Sequence, residues 1–596
     1  MELLYLMLNE DLTKISEINF TNNLFFKRDV FDFIIEETKN EPKINNFFSS
    51  KISNILAFVG KNGIGKTTNV CKPIMTNNWL KFDFIIFKNN DELLVFKNPI
   101  HKSIGIKNKT RFKYKEIIIS DLTINDGPSE VNSKSNDEFN DLTRIYYSSS
   151  FSDLTFETRS ILDDISSRGL LTKELQKINA EEKTFKDFSN DSFTRFKLND
   201  LKWQIKFLES EVGKEVSKSL SLNPRIVITH FPKVFVPMQY RVKDIKIFDD
   251  LQKYFLEKRT RNGFIDITSL PKTPRIILLL WSIVCNLPDN IQTEFIEFLR
   301  REQFDFKGDK FFLNPKISNL NVFIEPLYDL IIPNLEHIED HFIEYQNDMI
   351  LLSRQSFSIP IELANSFIEF YYRTFEREKT IYKYLFNWTI STGEYSYLSL
   401  FSRLYNHEKR LANTFFLLVI DEGDSNFHPE WSRGYIDILN KWIPKILSRA
   451  KGIQIILTTH SPYVLSDLPA SNVFILNREN GDLVIRNNNR QTFGANIHDL
   501  LANEFFLEDG FIGAFAKNKI QVVIDNLRTD KDFVPETKME QEDIKKVIDV
   551  IGEPFLKEKL LEMYQQKFNE PDFYDKEIER LQLKIEEYKK RQKTKE

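Results

Sequence analysis

The chain has 596 residues, 41% of them hydrophobic and 28% charged, enough for about three or four folding units at roughly 100–200 residues each. Its 82 basic and 87 acidic side chains leave a net charge of −5, which excludes a chain coated in nucleic-acid-binding charge, though not local basic patches. Only two cysteines, Cys71 and Cys285, exclude a disulfide framework and a Cys-rich zinc site, and they fit a reduced, cytoplasmic setting.

The N-terminal apolar run has no preceding Arg or Lys, so a secretory signal is not expected. The longest strongly apolar stretch, residues 276–284, falls far short of the roughly 20 needed to cross a bilayer, so no membrane association is expected. Residues 3–8, 55–59, 82–87 and 93–96 have strand texture. Directly after the second of these comes Gly60-Lys61-Asn62-Gly63-Ile64-Gly65-Lys66-Thr67-Thr68. Glycines at this spacing let backbone N–H groups curl toward phosphate oxygens, and the following helix offers its positive end to the same anion. Lys66 supplies a point charge to phosphate, and the Thr67 hydroxyl is placed for Mg²⁺. A polar loop is expected over 123–141 and a strand over 143–147.

From about 151 to 385 the texture turns helical, at 171–211, 249–261, 289–303 and 361–386. Ten prolines punctuate the region between 224 and 360 and exclude a long coiled coil, so a mostly helical insertion is expected. Ser391-Thr392-Gly393-Glu394 then opens a helix-compatible stretch; taken alone it reads as a capping box. The apolar run 415–420 ends in Asp421-Glu422, acids delivered at the C-terminal end of a buried strand. Asp421 suits Mg²⁺, and Glu422 suits orientation or deprotonation of an attacking water. A further run, 454–457, leads into Thr458-Thr459-His460-Ser461-Pro462, and strand texture returns near 473–476. The alternation with helices predicts a parallel sheet. Tyr574, Ile578, Leu581, Ile585 and Tyr588 form a short heptad seam in a charged, helical end.

In order and kind, these elements resemble the ABC-type ATPases: P-loop, signature turn, acidic strand, switch histidine. Asn62-Gly63 and the Ser-x-Gly-Glu turn are similar to the SMC, RecF and OLD-like branch. The stretch 491–520 resembles the Septu-type (PtuA-like) bacterial antiphage defence ATPases. The resemblance covers 50–70, 389–470 and 491–520, and hardly touches the insertion. It implies an α/β P-loop ABC-type head, a mixed sheet flanked by helices, built from 1–150 and 386–510. The head would carry the mostly helical insertion 151–385 and a helical C-terminal region, 511–596. It further implies that ATP contacts Gly60, Asn62, Gly63, Gly65, Lys66, Thr67 and Thr68. Ser391, Gly393 and Glu394 become the signature contacts. Thr67 and Asp421 hold Mg²⁺, Glu422 and His460 join Lys66 in catalysis, and His460 is the switch. One P-loop and one signature, with some 325 residues between Lys66 and Ser391, imply a homodimer that closes around ATP. The Septu-like resemblance implies a separate HNH-type nuclease partner, with DNA reached directly or through it. The sequence departs from the family at Gly423-Asp424 and at Ser432, and no Q-loop glutamine is placed.

A nuclease site in this chain is not expected. After His460 only residues 525–532 offer spaced acids, and they read as a helix end and loop. The eight histidines are scattered, and His337 and His341 lack a third ligand. A RecF- or SMC-like repair ATPase, and a nuclease with an unrecognised site in the insertion, are the alternative readings.

Overall fold

The computed structural model describes residues 1–8, 17–21, 23–38, 47–61, 63–76, 81–119, 142–149, 162–181, 192–222, 224–230, 384–408, 414–479, 482–488, 490–503, 512–528 and 533–568, with scattered positions between 250 and 368 and between 578 and 585. Asn62, the loop expected at 123–141, His337, His341, Tyr574, Tyr588 and most of 231–383 lie outside the described residues. The chain divides into two compact units, Met1–Phe505 and Phe506–Glu596.

The first unit is built on a seven-stranded sheet. Its order is Leu162–Asp164, Leu142–Ser148, Phe415–Asp421, Gly452–Thr459, Ile52–Val59, Val473–Glu479 and Asp482–Asn487. Neighbours run parallel except the last pair, which is antiparallel. Both faces are covered, so the strands read as continuous apolar runs. The two-residue period still divides them. Ile55, Ala57 and Val59 face a cluster with the helices Thr392–Glu408 and Tyr435–Ile446. Leu56 and Phe58 face a second cluster shared with Leu3, Leu6, Ile85 and Phe87.

That second cluster joins the central sheet to a five-stranded sheet that includes Glu2–Leu8, Phe82–Asn89 and Glu92–Lys97. A three-stranded sheet of Leu24–Arg28, Asp32–Glu37 and Gly105–Lys109 covers the other face, through Tyr5, Phe26, Phe33 and Phe84. Phe33 stacks on Phe84 at 4.3 Å, and Tyr5 on Phe26 at 4.6 Å.

Residues assigned to the insertion from sequence are found in this core. Leu162–Asp164 extends the central sheet, and Phe207, Leu208 and Val216 pack into the cluster that holds Leu400, Phe401 and Leu404. These residues therefore pack with the central sheet and its helices. Among the described residues the region 151–385 carries the helices Ser167–Glu181, Ser192–Glu209 and Glu211–Ser219, and strands beside them. Ile226–His230, Gln355–Ile359, Tyr384–Trp388 and Glu339–Asp340 pair in one antiparallel sheet, and three further short strands form another. The helix expected through 386 gives way to the strand Tyr384–Trp388, whose ladder bonds to Ile226–His230 outweigh local propensity. Among the described residues no helix is long and apolar enough to cross a membrane.

Among its described residues the second unit includes the helices Ala514–Leu527, Gln541–Asp549 and Pro554–Phe568, packed through Val523, Leu527, Ile544, Ile548, Leu560 and Tyr564. The Asn526 side chain donates to Val522 O and Thr537 O and accepts from Met539 N, which ties the first helix to the connection after it.

Candidate active site

The site stands at the C-terminal ends of the parallel strands, where loops leave an α/β sheet and ligands gather. The Ile52–Val59 strand runs into the glycine loop. Gly63 and Gly65 have φ of 76° and 97°, values open to glycine and rare for other residues. At Gly60 a Cβ would stand 2.9 Å from Leu476 O, so the loop can leave the strand only without a side chain there. Lys66 is buried, and its Nζ donates to Gly60 O at 3.0 Å, folding the side chain back across the loop. Thr67 is half-buried and Thr68 exposed at the start of the helical segment that follows. That segment is a π-type turn, Thr67–Cys71, continued by Lys72–Ile74. Buried Arg144 closes its end by donating to Ile74 O and Thr76 O, a cation on helix C-terminal carbonyls.

The sheet order places the Gly452–Thr459 strand between the P-loop strand and the Phe415–Asp421 strand. Asp421 is buried. Tyr146 OH donates to its Oδ2 at 2.9 Å, and Thr458 Oγ1 donates to its Oδ1. Burial, together with the Asp421 carboxylate, pushes the Cys71 thiol well above its ordinary value. The sequence reading missed Tyr146, Thr458 and Cys71. Their one prior signal was position: Tyr146 and Thr458 are registered beside the acidic strand.

Glu422 has φ of 48°, in the left-handed region although it is not glycine. Four bonds hold it there. Its N–H donates to Thr458 O at 3.0 Å and Thr458 Oγ1 at 3.2 Å, and its carbonyl accepts from Ser149 Oγ at 2.6 Å and Ser425 N at 3.2 Å. The twist aims the carboxylate across the site. Glu422 Oε1 lies 3.6 Å from Lys66 Nζ and 3.9 Å from His460 Nδ1. Lys66, Glu422 and His460 are thus brought together, with Asp421 next to them in the chain. The His460 side chain is 45% exposed, open to a ligand's approach.

The signature residues occupy a different place. Ser391 N donates to Glu394 Oε2 at 2.7 Å, and Glu394 N donates to Ser391 Oγ at 3.3 Å, a reciprocal capping box at the start of Thr392–Glu408. No hydrogen bond among the described residues joins this turn to the P-loop. Gly393 is buried against Phe427, where a Cβ would lie 3.4 Å from the ring. Phe427 in turn stacks on Tyr397 at 4.6 Å.

The signature helix is anchored from behind by a buried ion pair. Arg403 Nε and Nη2 grip the two Asp200 oxygens at 2.8 and 2.9 Å, and Nη1 donates to Ile165 O. Gln204 donates to Asp200 and accepts from Trp388 Nε1 at 2.6 Å. This polar network is closed within the core, so each member has a partner.

The donor set suits a nucleotide with a hard divalent cation: a loop with glycines at 60, 63 and 65, a lysine ammonium, one hydroxyl and one buried carboxylate. These features define a P-loop nucleotide-binding site on a mixed α/β fold. A family model described as "AAA domain, putative AbiEii toxin, Type IV TA system" matches residues 313–466, which include the signature turn, the acidic strand and His460 but not the P-loop. The chain is also 31% identical over 90 residues to "Retron Vc95 probable ATPase" from Vibrio cholerae serotype O1 biovar El Tor. That similarity spans 15% of this chain and 16% of the relative's length. ATP binding and an ATPase domain are what these likenesses and the site have in common.

Proposed function

We propose that this protein binds and hydrolyses ATP with Mg²⁺ as an ABC-type ATPase, and that in bacterial antiphage defence it regulates a separate HNH-type nuclease. The observation that carries the ATPase reading is the convergence of Lys66, Glu422 and His460 around one carboxylate oxygen, beside the buried Asp421. Lys66 leaves Glu422 to meet phosphate oxygens. Glu422 takes the proton of the attacking water, and His460 donates to the terminal phosphate. Thr67 and Asp421 would hold Mg²⁺, which spreads the phosphate charge when bound.

The capped, exposed signature turn fits a surface completed by a second copy, so the active form is a homodimer with two ATP molecules between heads. Its sequence likeness to Septu-type ATPases, together with the likeness to a retron ATPase, supports the defence setting. Residues 231–383 and the C-terminal unit are the parts left for a partner or DNA.

The test compares Lys66→Ala with Glu422→Gln. Lys66→Ala should lose ATP binding. Glu422→Gln should bind ATP, cease to turn over and run as a dimer in ATP and Mg²⁺. The purified chain should leave plasmid and linear DNA intact under the same conditions. Wild-type turnover by Glu422→Gln would refute the assignment of that residue, and DNA cleavage that survives repurification would place a nuclease in this chain.

A further inference from the structure

The turn after Glu422 carries a carboxylate that the proposed chemistry does not use. Asp424 is only 6% exposed, and among the described residues no hydrogen bond or ion pair joins it to Lys66 or Asp421. Its two oxygens accept from Thr459 Oγ1 at 3.1 and 3.0 Å. Thr459 Oγ1 accepts in turn from Ser461 N at 2.9 Å. Thr459 is therefore tied directly to one buried acid, and Ser461, on the other side of His460, is tied to it through Thr459. The same turn reaches the signature helix: Phe427 N donates to Asp424 O at 3.1 Å, which sets the ring that lies on Tyr397 and under Gly393.

We propose that Asp424 is a positioning residue for hydrolysis: it holds the Thr459–Ser461 turn so that the His460 ring stands at Glu422, and it links that turn to the signature helix through Phe427. The inference rests on the ATPase reading above. Its physical basis is the short lever. The imidazole is nearly half exposed, and its 3.9 Å approach to Glu422 is too long to fix it. Its place is set by the backbone on either side, and that backbone is held by a carboxylate removed from water, where a hydrogen bond is strong and its loss is costly.

Steady-state ATPase of the full chain tests this with Asp424→Ala, Asp424→Asn and Thr459→Val. Asp424→Ala and Thr459→Val should lower kcat by about 10- to 100-fold while KM for ATP stays within about twofold, because misplacing a reacting group costs rate and not ground-state affinity. Asp424→Asn keeps an acceptor for Thr459 and should recover most of the loss. Placed on His460→Ala, Asp424→Ala should cost nothing further, since the two act as a unit. Full additivity with His460→Ala, or a wild-type kcat in Asp424→Ala, would overturn the positioning role while leaving the ATPase reading intact. A wild-type chain that neither binds nor hydrolyses ATP would overturn both.

Discussion

The left-handed backbone of Glu422 predicts that stability and turnover separate at this residue. A non-glycine residue in that region costs about 1–2 kcal/mol. Glycine would relieve this but lose about 0.5–1 kcal/mol through the freer unfolded chain. The Glu422 side chain is 31% exposed, and its contacts to Lys66 and His460 are long, so they contribute about 0–1 kcal/mol. Glu422→Gly should therefore lie between about 1 kcal/mol less and about 1.5 kcal/mol more stable than the wild type, in place of the larger loss expected of an unstrained turn. Glu422→Gln keeps the strained φ and should not exceed Glu422→Gly. Both should lose about 10²- to 10⁴-fold in kcat, or about 3–5 kcal/mol of barrier, because the proton acceptor is gone. Urea denaturation and phosphate release measure the two quantities on the same samples. If Glu422→Gly is less stable than Glu422→Gln by more than about 1 kcal/mol, the turn is not strained and the reasoning fails.

Other substitutions test the supports of the site. Arg403→Leu leaves Asp200 charged and unpaired in the core and should destabilise the first unit by about 3–5 kcal/mol, read from the urea midpoint; a loss under about 1 kcal/mol would deny the ion pair its anchoring role. Gly65→Ala forces a Cβ to within 2.4 Å of Asn69 Nδ2 at a φ of 97°, so ATP affinity should fall at least about tenfold in a fluorescent-nucleotide titration. Burial, reinforced by Asp437, raises the half-buried Asp467 to about 6 from an ordinary 3.8. The folded chain thus holds this proton more tightly than the unfolded chain, and the stability it contributes is full below pH 3.8 and lost as pH rises through about 6. Asp467→Asn should raise the melting temperature at about pH 7.5 and leave it unchanged at about pH 3.5; equal gains at both would refute a protonation effect.

Much of the site was legible because its chemistry is local. The glycine loop, Lys66 and Thr67 follow a strand without interruption, and the strand ends at Asp421 and Thr459 deliver their side chains by adjacency alone. Ser391 and Glu394 were legible as a capping box for the same reason, since the bonds span three residues. Tyr146, Ser149 and Arg403 were not legible. Each acts on a group more than two hundred residues away, as Arg144 acts on one some seventy away, and nothing in a linear pattern marks which tyrosine, serine or arginine will be registered there. The packing of residues beyond 150 into the central core was not legible for a related reason. Helical texture was read as the start of an insertion, whereas Phe207 and Leu208 bury themselves against the signature helix.

The amino-acid sequence by itself determined the strands that lead into the glycine loop and the acidic and switch turns, because apolar runs, φ-permissive residues and caps act within a few positions. Only the tertiary structure decided that the His460 strand lies between the P-loop and acidic strands, that Glu422 is bent into the left-handed region, and that Asp424 grips the turn around His460. Those outcomes depend on which strands pair and which polar groups lose their water together, and burial settles both for the chain as a whole.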